Sequence, residues 1–550
     1  MTRLKWLILA GILAFVAATR LFNMDNYPSA FGQDEIVVGY DAYCLLHTGH
    51  DHHGEFLPLL PRMFNDYLSG IQTYWTIPFV ALLGPTEQAV RLACSLPNII
   101  MILVLFLVVR RLFKNVEPAL WAAFVVAIAP WHFFFSRWAV QPNFVPFFLL
   151  LFLFCFYKTM DCPKTGKGYV WSVCSGIAFV LLAQVYPAQM FFAPMLALVL
   201  GLMYLRNQFK RLLVMGCVVI LGILPFVMAR MHRPASLARF SKETILYSQD
   251  FASLFWTRYS EYLSMDYLYK PLQNQYWQQF PGTSYFPGFL MPFYVLGIFV
   301  LIVMLFLPTM NRKALEDWLP APASLKFRSL NLSALRQSAL FVLLWLVLAP
   351  VPAALFKQTE YTTRTIQLFP VISIAIALGL TVSSWLVCQI NSHWVRWSLM
   401  LAFTVVTALH MKELIQSMRD DNDYFKETMQ AGLQEVIEFL DQQPNVKEAH
   451  FEPLNQAYIY YLFYAHIDPH TLVTSEVSPP PPTKSEEWQY LKVPRVRNYY
   501  FNETIDPVRL QDHAVLRHQI KDQRRAWFDL YEDGAHRWYV VSSQVTGKLP

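Results

Sequence analysis

Long apolar runs separated by short polar connections fill the first three quarters of this chain. Each run is close to the ~20 residues that an α-helix needs to cross about 30 Å of hydrocarbon. We predict eleven spans, near residues 4–22, 88–109, 118–135, 143–158, 170–187, 190–205, 212–230, 288–307, 339–356, 364–388 and 394–411. The pattern therefore predicts a polytopic α-helical membrane protein.

The first apolar run resembles a secretory signal peptide, since a basic start precedes it. Its apolar part has the length of a span, and no small-residue cleavage site follows it. We therefore expect a retained first span.

The basic residues between the spans alternate from one connection to the next. If the N-terminus is cytoplasmic, the cytoplasmic connections carry Arg110, Arg111, Lys114, Lys158, Lys164, Lys167, Arg206, Lys210, Arg211, Arg312, Lys313, Lys326, Arg328 and Arg336. The short connections of the other face carry little more than Arg137, Lys357 and Arg364. By the positive-inside rule, loops 23–87 and 231–287 and the C-terminal segment then lie outside the cytoplasm, as in a cytoplasmic (inner) membrane protein.

After residue 412 the pattern changes from apolar runs to that of a water-soluble domain. The stretch "DYFKETMQAGLQEVIEFLDQQPNVKEAHFEP" predicts an amphipathic helix, a turn and a short strand, and "RWYVVSS" predicts another strand. The prolines of 479–482 predict a stiff linker. We expect a membrane module over 1–412 and a small extracytoplasmic α/β domain over 413–550.

Composition agrees with this division. The chain is 55% hydrophobic and only 15% charged, whereas soluble domains have about a quarter of charged residues. Residues 1–412 carry 30 basic and 17 acidic side chains, and residues 413–550 carry 14 and 21. The positive-inside rule accounts for this basic excess, so we expect no nucleic-acid partner. The seven cysteines show no regular spacing that would predict disulfides or a thiolate zinc site.

The acidic residues of the membrane module avoid the centres of the spans. Eight of the 17 lie in loop 23–87: Asp25, Asp34, Glu35, Asp41, Asp51, Glu55, Asp66 and Glu87. A flippase or exporter of lipid-linked sugars is a competing interpretation, but coupled transporters generally need ionisable groups within the bilayer and broken helices in matched halves. The distribution favours chemistry at the outer membrane surface.

Asp34 and Glu35 follow the first span by about a dozen residues, in "NYPSAFGQDE". An Asp-Glu pair is most often a solvated or helix-capping pair. A membrane enzyme that joins a sugar to a hydroxyl, however, needs a carboxylate near the apolar boundary to accept the hydroxyl proton. The position of the pair admits both interpretations.

The order of several segments resembles the GT-C glycosyltransferases, in particular the branch of protein O-mannosyltransferases and bacterial lipid A aminoarabinose transferases. These segments are "DEIVVGYDAYCLLHTGHDHHGEFLPLL", "GPTEQAVRL", "APWHFFFSRWAVQPN", "GTSYFPGFLMPFYVLG", "LAPVPAALFKQTEYTTRTIQLFP" and "YIYYLFYAHIDP". Each motif alone is weak, but their order covers most of the chain.

The resemblance implies an inverting transfer of a sugar from a polyprenyl-phosphate donor to a hydroxyl of a protein, lipid or glycan at the outer face. By position, Asp34 would be the general base, and Glu35 would orient it, cap a helix or hold the acceptor. The planar guanidinium of arginine suits phosphate oxygens and would stabilise the leaving lipid phosphate. We rank the outer-face candidates Arg364, Arg137 and Arg91 in that order, with simple membrane anchoring as an equal alternative for Arg91.

The sequence departs from that branch at Gln141, where members often carry a carboxylate. We expect Asp41, His52, His53, Gln141 and Tyr186 to line the substrate pocket. The spacing of His47, His50, His52 and His53 matches no strong metal signature, and members of the branch do not as a group require a metal. We expect no required cofactor, with a divalent metal as the alternative.

A non-catalytic membrane protein that binds glycans through its outer domain is the third interpretation. Unlike the enzyme interpretation, it predicts that Asp34 can be replaced by Asn without effect.

Overall fold

The computed structural model describes residues 2–24, 26–28, 30–64, 66–162, 166–233, 238–271, 280, 282–307, 331–357, 362–419, 429–443, 445–452, 454, 456–472, 474–477, 493–501, 514–515, 528–532 and 537–542. Helices fill most of the described chain. In chain order they are α1 (Arg3–Leu21), α2 (Gln33–Thr48), α3 (Ile71–Leu83), α4 (Glu87–Phe113), α5 (Glu117–Ile128), α6 (Pro130–Phe135), α7 (Val145–Asp161), α8 (Gly166–Val185), α9 (Gln189–Met231), α10 (Ala238–Glu243), α11 (Phe251–Tyr262), α12 (Met265–Tyr269), α13 (Met291–Phe306), α14 (Leu332–Leu348), α15 (Val351–Ala354), α16 (Phe369–Gln389), α17 (His393–Arg419), α18 (Leu433–Asp441), α19 (Ala457–Tyr464) and α20 (Thr474–Val477).

Strands are short and lie outside the apolar helices. They are β1 (Arg62–Met63), β2 (Asp66–Tyr67), β3 (Glu448–Phe451), β4 (Arg495–Val496), β5 (Tyr499–Tyr500), β6 (Ala514–Val515), β7 (Phe528–Glu532) and β8 (Arg537–Ser542). Short 3₁₀ turns precede several helices, at Gln141–Phe144, Gly288–Leu290, Thr362–Arg364, Ile366–Leu368 and Pro469–Thr471.

Nine helical segments of the described chain are long and apolar enough to cross a membrane. They are α1, α4, α7, α8, the second half of α9, α13, α14, α16 and α17. The protein is therefore a multi-pass membrane protein, as the hydrophobic pattern predicts. The other two predicted spans correspond to shorter apolar helices, Glu117–Ile128 and Gln189–Leu205.

The predicted span 118–135 is two helices. Helix α5 ends at Ile128, and Ala129 takes extended backbone angles (φ −73°, ψ 128°) before Pro130 begins α6. The proline ring disfavours helical angles in the residue before it, which explains the break. The break directs the chain after α6 toward the outer connection that carries Arg137 and Gln141.

Helix α9 contains two spans joined by a reversal, as the sequence predicts. Gln208 has non-helical angles (φ −136°, ψ 26°). Gln189, at the start of α9, and Arg230, near its end, both contact residues on the side of the membrane module that carries Tyr186. Arg211 instead donates to the carbonyls of Thr159 and Cys162 at the opposite side. The chain therefore crosses, turns at Gln208 and crosses back.

Two glycines allow α13 and α16 to pack closely. A Cβ at Gly297 would overlap the carbonyl of Ala375, and a Cβ at Gly379 would overlap that of Phe293. Small residues at such positions let membrane helices approach backbone to backbone.

The loop over 23–87 is folded rather than extended. It contains the largely buried helix α2, the β1–β2 hairpin and α3, which packs on α2 and α4. The aromatic stretch of this loop, "YLSGIQTYWTIPFV", forms the end of β2 and most of α3. The loop over 231–287 contains α10, α11 and α12, and its residues 272–279 lie outside the described residues.

The segment after α17 forms the expected small α/β unit. Its six-stranded sheet has the order β4-β5-β3-β8-β7-β6, with β3 parallel to β5 and β8 and the other pairs antiparallel. The predicted amphipathic helix is α18, which buries Leu433, Val436, Ile437 and Leu440 at helical spacing. Helix α17 continues through the expected boundary at 412/413 to Arg419, and Pro479–Pro482 lies outside the described residues.

Helix α19, from the segment "YIYYLFY", joins the sheet domain to the membrane module. Its side chains are almost fully buried, and the ring of Phe463 packs 5.7 Å from that of Phe31. Tyr40 on α2 donates to the Ile467 carbonyl (3.0 Å), and Tyr464 donates to Glu87 Oε1 (2.6 Å). The C-terminal sheet domain therefore packs directly on α2, the helix that carries Asp34 and Glu35.

Candidate active site

A cavity of about 550 Å³ lies at one end of the spanning helices. Residues from five parts of the chain form its wall. They come from the region from α2 to the start of α3, the connection before α7, the connection from α8 into α9, the end of α9 with the segment after it, and the segment before α16. The polar residues that line it are Asp34, Asp66, Tyr67, Ser69, Gln72, Gln141, Gln184, Tyr186, Arg230, Ser241, Glu243, Tyr247, Thr363 and Arg364. Apolar side chains fill the remaining wall, including Trp138, Phe191 and Phe356. A site of this kind can hold an apolar chain and a polar headgroup together.

The cavity lies on the face that the charge pattern assigns to the outside. Two of the basic residues assigned to the cytoplasmic side have contacts at the other ends of these helices: Arg111 pairs with Asp161 at 2.7 Å, and Arg211 donates to the carbonyls of Thr159 and Cys162. These two cations and the cavity therefore lie at opposite ends of the helices.

Asp34 is in the first turn of α2 and is an exposed side chain that faces this cavity. Its neighbour Glu35 points the other way and is fully buried. Because consecutive helical residues differ by about 100° around the axis, only one of the two can face the cavity. The structure therefore separates two carboxylates that are adjacent in the sequence.

Glu35 holds the start of α2 in place. Its Oε2 accepts from the Gly32 backbone N–H (3.0 Å) and its Oε1 from that of Ala139 (2.8 Å), and Arg91 Nε lies 3.5 Å from Oε1. Burial raises the pKa of Glu35, against the lowering effect of Arg91 and the two N–H groups. Of the roles that the sequence left open for Glu35, these contacts fit helix capping and the positioning of Asp34.

Arg91 and Arg137 are structural in this arrangement, which corrects their expected place at the donor phosphate. Arg91 is fully buried and donates to the carbonyls of Met24, Pro28 and Ala30. Arg137 is also fully buried. It donates to the carbonyls of Thr19, Arg20, Phe22, Asn23 and Tyr27. Neither lines the cavity, because the chain between α1 and α2 wraps around both guanidiniums.

Arg364, the first-ranked candidate, lines the same cavity as Asp34. Its Nη2 donates to Glu243 Oε2 at 2.5 Å, and its guanidinium lies 4.2 Å from the centre of the Phe356 ring. Gln367 fixes the backbone here, since its Nε2 donates to the carbonyls of Arg364 (2.9 Å) and Ala349 (2.6 Å). Arg364 thus already binds one anion at the cavity wall, the carboxylate of Glu243.

A second cation, Arg230, was not predicted as a site residue. Its Nη1 donates to Gln184 Oε1 (2.8 Å), beside the predicted pocket residue Tyr186, whose hydroxyl lies 3.3 Å from Thr363 Oγ1. Arg230 ends an apolar span at the outer side, so its sequence position resembles that of a membrane anchor. Only the packing of α8 against α9 shows that it faces the cavity.

Two buried amides supply unused hydrogen-bonding capacity. Gln72 donates to the Ala139 carbonyl (2.6 Å) and Gln141 to the Ser69 carbonyl (3.0 Å). Within the described part of the chain, neither Oε1 has a hydrogen-bond partner. Buried polar atoms are normally satisfied, so these two oxygens are available to hydroxyls of a bound sugar. Gln141 was predicted, whereas Gln72, in an apolar helix, carries no distinguishing sequence signal.

Asp41, His52 and His53 lie outside the cavity wall, which corrects their assignment to the substrate pocket. Asp41 is two turns beyond Asp34, roughly 10 Å along α2. There the 51–53 loop covers it, and Asp41 Oδ1 accepts from His52 Nδ1 (2.6 Å) and from the His52 backbone N–H (3.0 Å). The His52 ring packs 6.4 Å from Tyr458 of α19. These residues join α2 to the outer domain.

Burial and neighbouring charges shift the pKa values of Asp51, His52 and His53 at this junction in different directions. Burial lowers the pKa of His52, but the Asp41 carboxylate more than offsets it and the pKa stands above its ordinary value. Burial and the nearby His52 lower the pKa of His53 well below its ordinary value. Burial and Asp41 raise the pKa of Asp51 to about 7.

The histidine loop does not assemble a recognisable metal site. Among the residues that the structure describes, no three His, Cys, Asp or Glu side chains are grouped so as to hold a metal ion. His47 and His50 are exposed at the surface, while His52 and His53 are buried.

Comparisons with known proteins agree with this architecture. A family model described as dolichyl-phosphate-mannose-protein mannosyltransferase matches residues 70–229. The archaeal oligosaccharyltransferase AglB from Archaeoglobus fulgidus, solved with an inhibitory peptide and a dolichol-phosphate, superposes with a TM-score of 0.51 at 12% identity over 84% of this chain and 64% of that chain. ArnT from Cupriavidus metallidurans, solved with undecaprenyl phosphate, gives 0.48 at 13% identity over 84% of this chain and 85% of that chain. A search of curated protein sequences gives no match.

These comparisons establish the fold. A second structure of the Archaeoglobus fulgidus oligosaccharyltransferase, tethered to an acceptor peptide, gives a TM-score of 0.52 at 14% identity. The chain spans about two thirds of the length of these archaeal structures. The fold expected from the sequence, a bundle of membrane-spanning helices with a small C-terminal sheet domain, agrees with these structures.

Proposed function

We propose that this protein is an inverting glycosyltransferase that moves a sugar from a polyprenyl-phosphate donor to an acceptor hydroxyl at the outer face of the membrane. The proposed location is the cytoplasmic (inner) membrane, with the N-terminus in the cytoplasm and the C-terminal domain outside. The family model over residues 70–229 and the shared fold support the lipid-phosphate donor. The acceptor is a hydroxyl of a protein, a lipid or a glycan.

One observation carries the proposal. A carboxylate, Asp34, and two guanidiniums, Arg364 and Arg230, line the same cavity at the outer ends of the spans. Transfer from a lipid phosphate needs both charges: a base for the attacking hydroxyl and a cation for the leaving phosphate. The apolar wall near Phe191 and Phe356 suits the first isoprene units of the donor.

The proposed reaction uses these groups in a single displacement. The acceptor oxygen attacks the anomeric carbon from the side opposite the phosphate, and Asp34 accepts its proton. The bond from the anomeric carbon to the phosphate oxygen breaks, and its electron pair leaves with the polyprenyl phosphate. Arg364 stabilises the charge that develops on that phosphate, and Arg230 lies at the same wall. One glycosidic bond forms, one breaks, and the configuration inverts.

Glu243 occupies the position of the phosphate in this scheme. Its carboxylate is bound to Arg364 with side-chain exposures of 17% and 7%, so it is an anion already shielded from water. A donor phosphate that binds Arg364 must displace this carboxylate. We assign Glu243 as a resident counter-anion that keeps Arg364 ordered until the donor enters. The step needs no metal, because the cations of the chain carry the phosphate charge.

The test uses the purified full-length protein with labelled polyprenyl-phosphate sugars and a panel of acceptors. The expected result is release of polyprenyl phosphate together with a glycosylated product of inverted anomeric configuration. Transport of the lipid-linked sugar across vesicles without bond cleavage would contradict the proposal and favour a flippase. Binding of glycans without either activity would favour the non-catalytic alternative. Mass spectrometry of glycolipids and glycoproteins from a deletion strain identifies the sugar and the acceptor.

A further inference from the structure

A second cavity, of about 390 Å³, lies at the opposite ends of the helices from the active-site cavity. It is bounded by the last turns of α4 and α7. Its polar lining residues are Arg110, Arg111, Lys114, Lys158 and Asp161, with the aromatic ring of Tyr157 among them. Nothing in the proposed transfer reaction uses this cavity.

The lining of this second cavity has an excess of positive charge. Arg111 is satisfied by Asp161, to which its Nε and Nη2 donate at 3.0 and 2.7 Å. Arg110, Lys114 and Lys158 have no carboxylate partner within the described parts of the chain. The Arg111–Asp161 pair thus fixes the walls of the cavity, and three further cations surround it without a counter-ion.

The apolar and the charged residues of the lining occupy different parts of the second cavity. Leu107, Val108 and Phe154 line the part that lies nearer the middle of the spans, two or more residues before the cations of the same helix. Lys158 Nζ lies 5.5 Å from the centre of the Phe154 ring, so a cation and the apolar wall meet at this point of the cavity. An occupant must therefore present an anion at the membrane surface and an apolar part toward the bilayer interior.

We propose that this cavity binds the headgroup of an anionic phospholipid of the leaflet that faces it. Basic pockets between membrane helices on the cytoplasmic side suit phosphate headgroups. The cavity holds roughly ten times the ~30 Å³ that one water occupies in the liquid, which is enough for a glycerophosphate group. The site is separate from the active-site cavity and does not depend on the proposed transferase activity.

Ordinary positive-inside residues offer a matched comparison. Arg3, Lys167 and Lys210 belong to the same face and are exposed, but they do not line the cavity. A general attraction of basic side chains to an anionic surface would act on both sets. A specific site would depend on Arg110, Lys114 and Lys158 alone.

The test compares two triple variants of the full-length protein. One is Arg110→Gln/Lys114→Gln/Lys158→Gln, and the control is Arg3→Gln/Lys167→Gln/Lys210→Gln. Both remove three positive charges, and both leave the Arg111–Asp161 pair intact. Retained phosphatidylglycerol is counted by native mass spectrometry after reconstitution in phosphatidylcholine discs that contain increasing amounts of phosphatidylglycerol.

The cavity variant is expected to retain phosphatidylglycerol at least about tenfold more weakly than wild type, because the charge-assisted hydrogen bonds from three cations to one headgroup phosphate are lost together. The control is expected to retain it as wild type does. Equal losses in both variants, or no loss in the cavity variant, would overturn the site. Competition by inorganic phosphate at equal concentration would show a free-phosphate site and overturn the lipid assignment. Unchanged thermal midpoints exclude misfolding as the cause.

Discussion

Replacing Glu35 with Gln separates the structural role of this residue from the catalytic role of Asp34. In the folded protein the Glu35 carboxylate accepts two backbone N–H groups, at 3.0 and 2.8 Å, and lies 3.5 Å from Arg91 Nε with no exposure to solvent. An amide can keep one acceptor oxygen but presents an N–H₂ group to the second donor. It also removes the nearer of the two carboxylates beside Arg91, since Glu87 Oε2 lies 4.0 Å from Arg91 Nη1.

The expected loss follows from these contacts. A mispaired buried group of this kind costs about 1–3 kcal/mol, and removing the side chain in Glu35→Ala, which breaks the buried Glu35–Arg91 pair, costs about 3–5 kcal/mol. Both variants should lower the thermal midpoint of the purified protein in detergent, with Glu35→Ala lower than Glu35→Gln. Activity should fall together with stability and should be partly retained at low temperature.

Asp34→Asn is the matched control, since it changes the neighbouring carboxylate on the same helical turn. We expect it to leave the thermal midpoint near that of wild type, because Asp34 is exposed in the cavity. If Glu35→Gln kept the wild-type midpoint yet abolished transfer, Glu35 would act in the chemistry and the structural assignment would be refuted.

Three further predictions concern the cavity and its surroundings. Glu243→Gln should strengthen binding of polyprenyl phosphate about tenfold, or ~1.4 kcal/mol, because no carboxylate then competes for Arg364; Arg364→Gln should weaken it, and unchanged binding in both would contradict the phosphate assignment. Chelation of divalent metals should leave the transfer rate unchanged, and a loss restored by one added metal would contradict the metal-free step. Burial and Asp41 raise the pKa of Asp51 to about 7 in the folded protein. Because the folded state then holds this proton more tightly than the unfolded state, protonated Asp51 stabilises the fold below about pH 4, and this contribution is lost as the pH rises toward 7. Asp51→Asn should therefore gain thermal midpoint relative to wild type between about pH 5 and pH 8, and a constant difference would contradict the raised pKa.

The sequence predicts the spans well because their apolar runs are a local property. The positions of α1, α4 and α8 follow directly from hydrophobic length, and the reversal at Gln208 follows from the basic cluster around it. The break at Pro130 shortens one predicted span, because a proline within an apolar run does not reveal whether the helix bends or ends.

The candidate site was less accessible to sequence reasoning because burial decides the role of an arginine. Arg137 and Arg364 both flank spans at the outer side, and their local sequences give no reason to separate them. Only the wrapped chain at 19–27 shows that Arg137 is saturated by carbonyls. The same limit applies to Asp41 and His52, whose partner Tyr458 lies more than 400 residues away in the sequence.

The residues that sequence reasoning missed share one property: they act through neighbours from distant segments. Arg230 reaches the cavity beside Gln184, and Glu243 does so through Arg364. Neither pairing has a spacing or motif that could be recognised in the chain. Asp34, by contrast, could be proposed from its place after the first span.

The most direct test of the central claim is a single-turnover measurement of sugar transfer by purified wild type and Asp34→Asn, with donor binding measured in the same preparations. Loss of a positioned general base should slow the transfer step by about 10²–10⁴-fold while binding of the polyprenyl-phosphate sugar is retained. Transfer by Asp34→Asn at close to the wild-type rate would contradict the account.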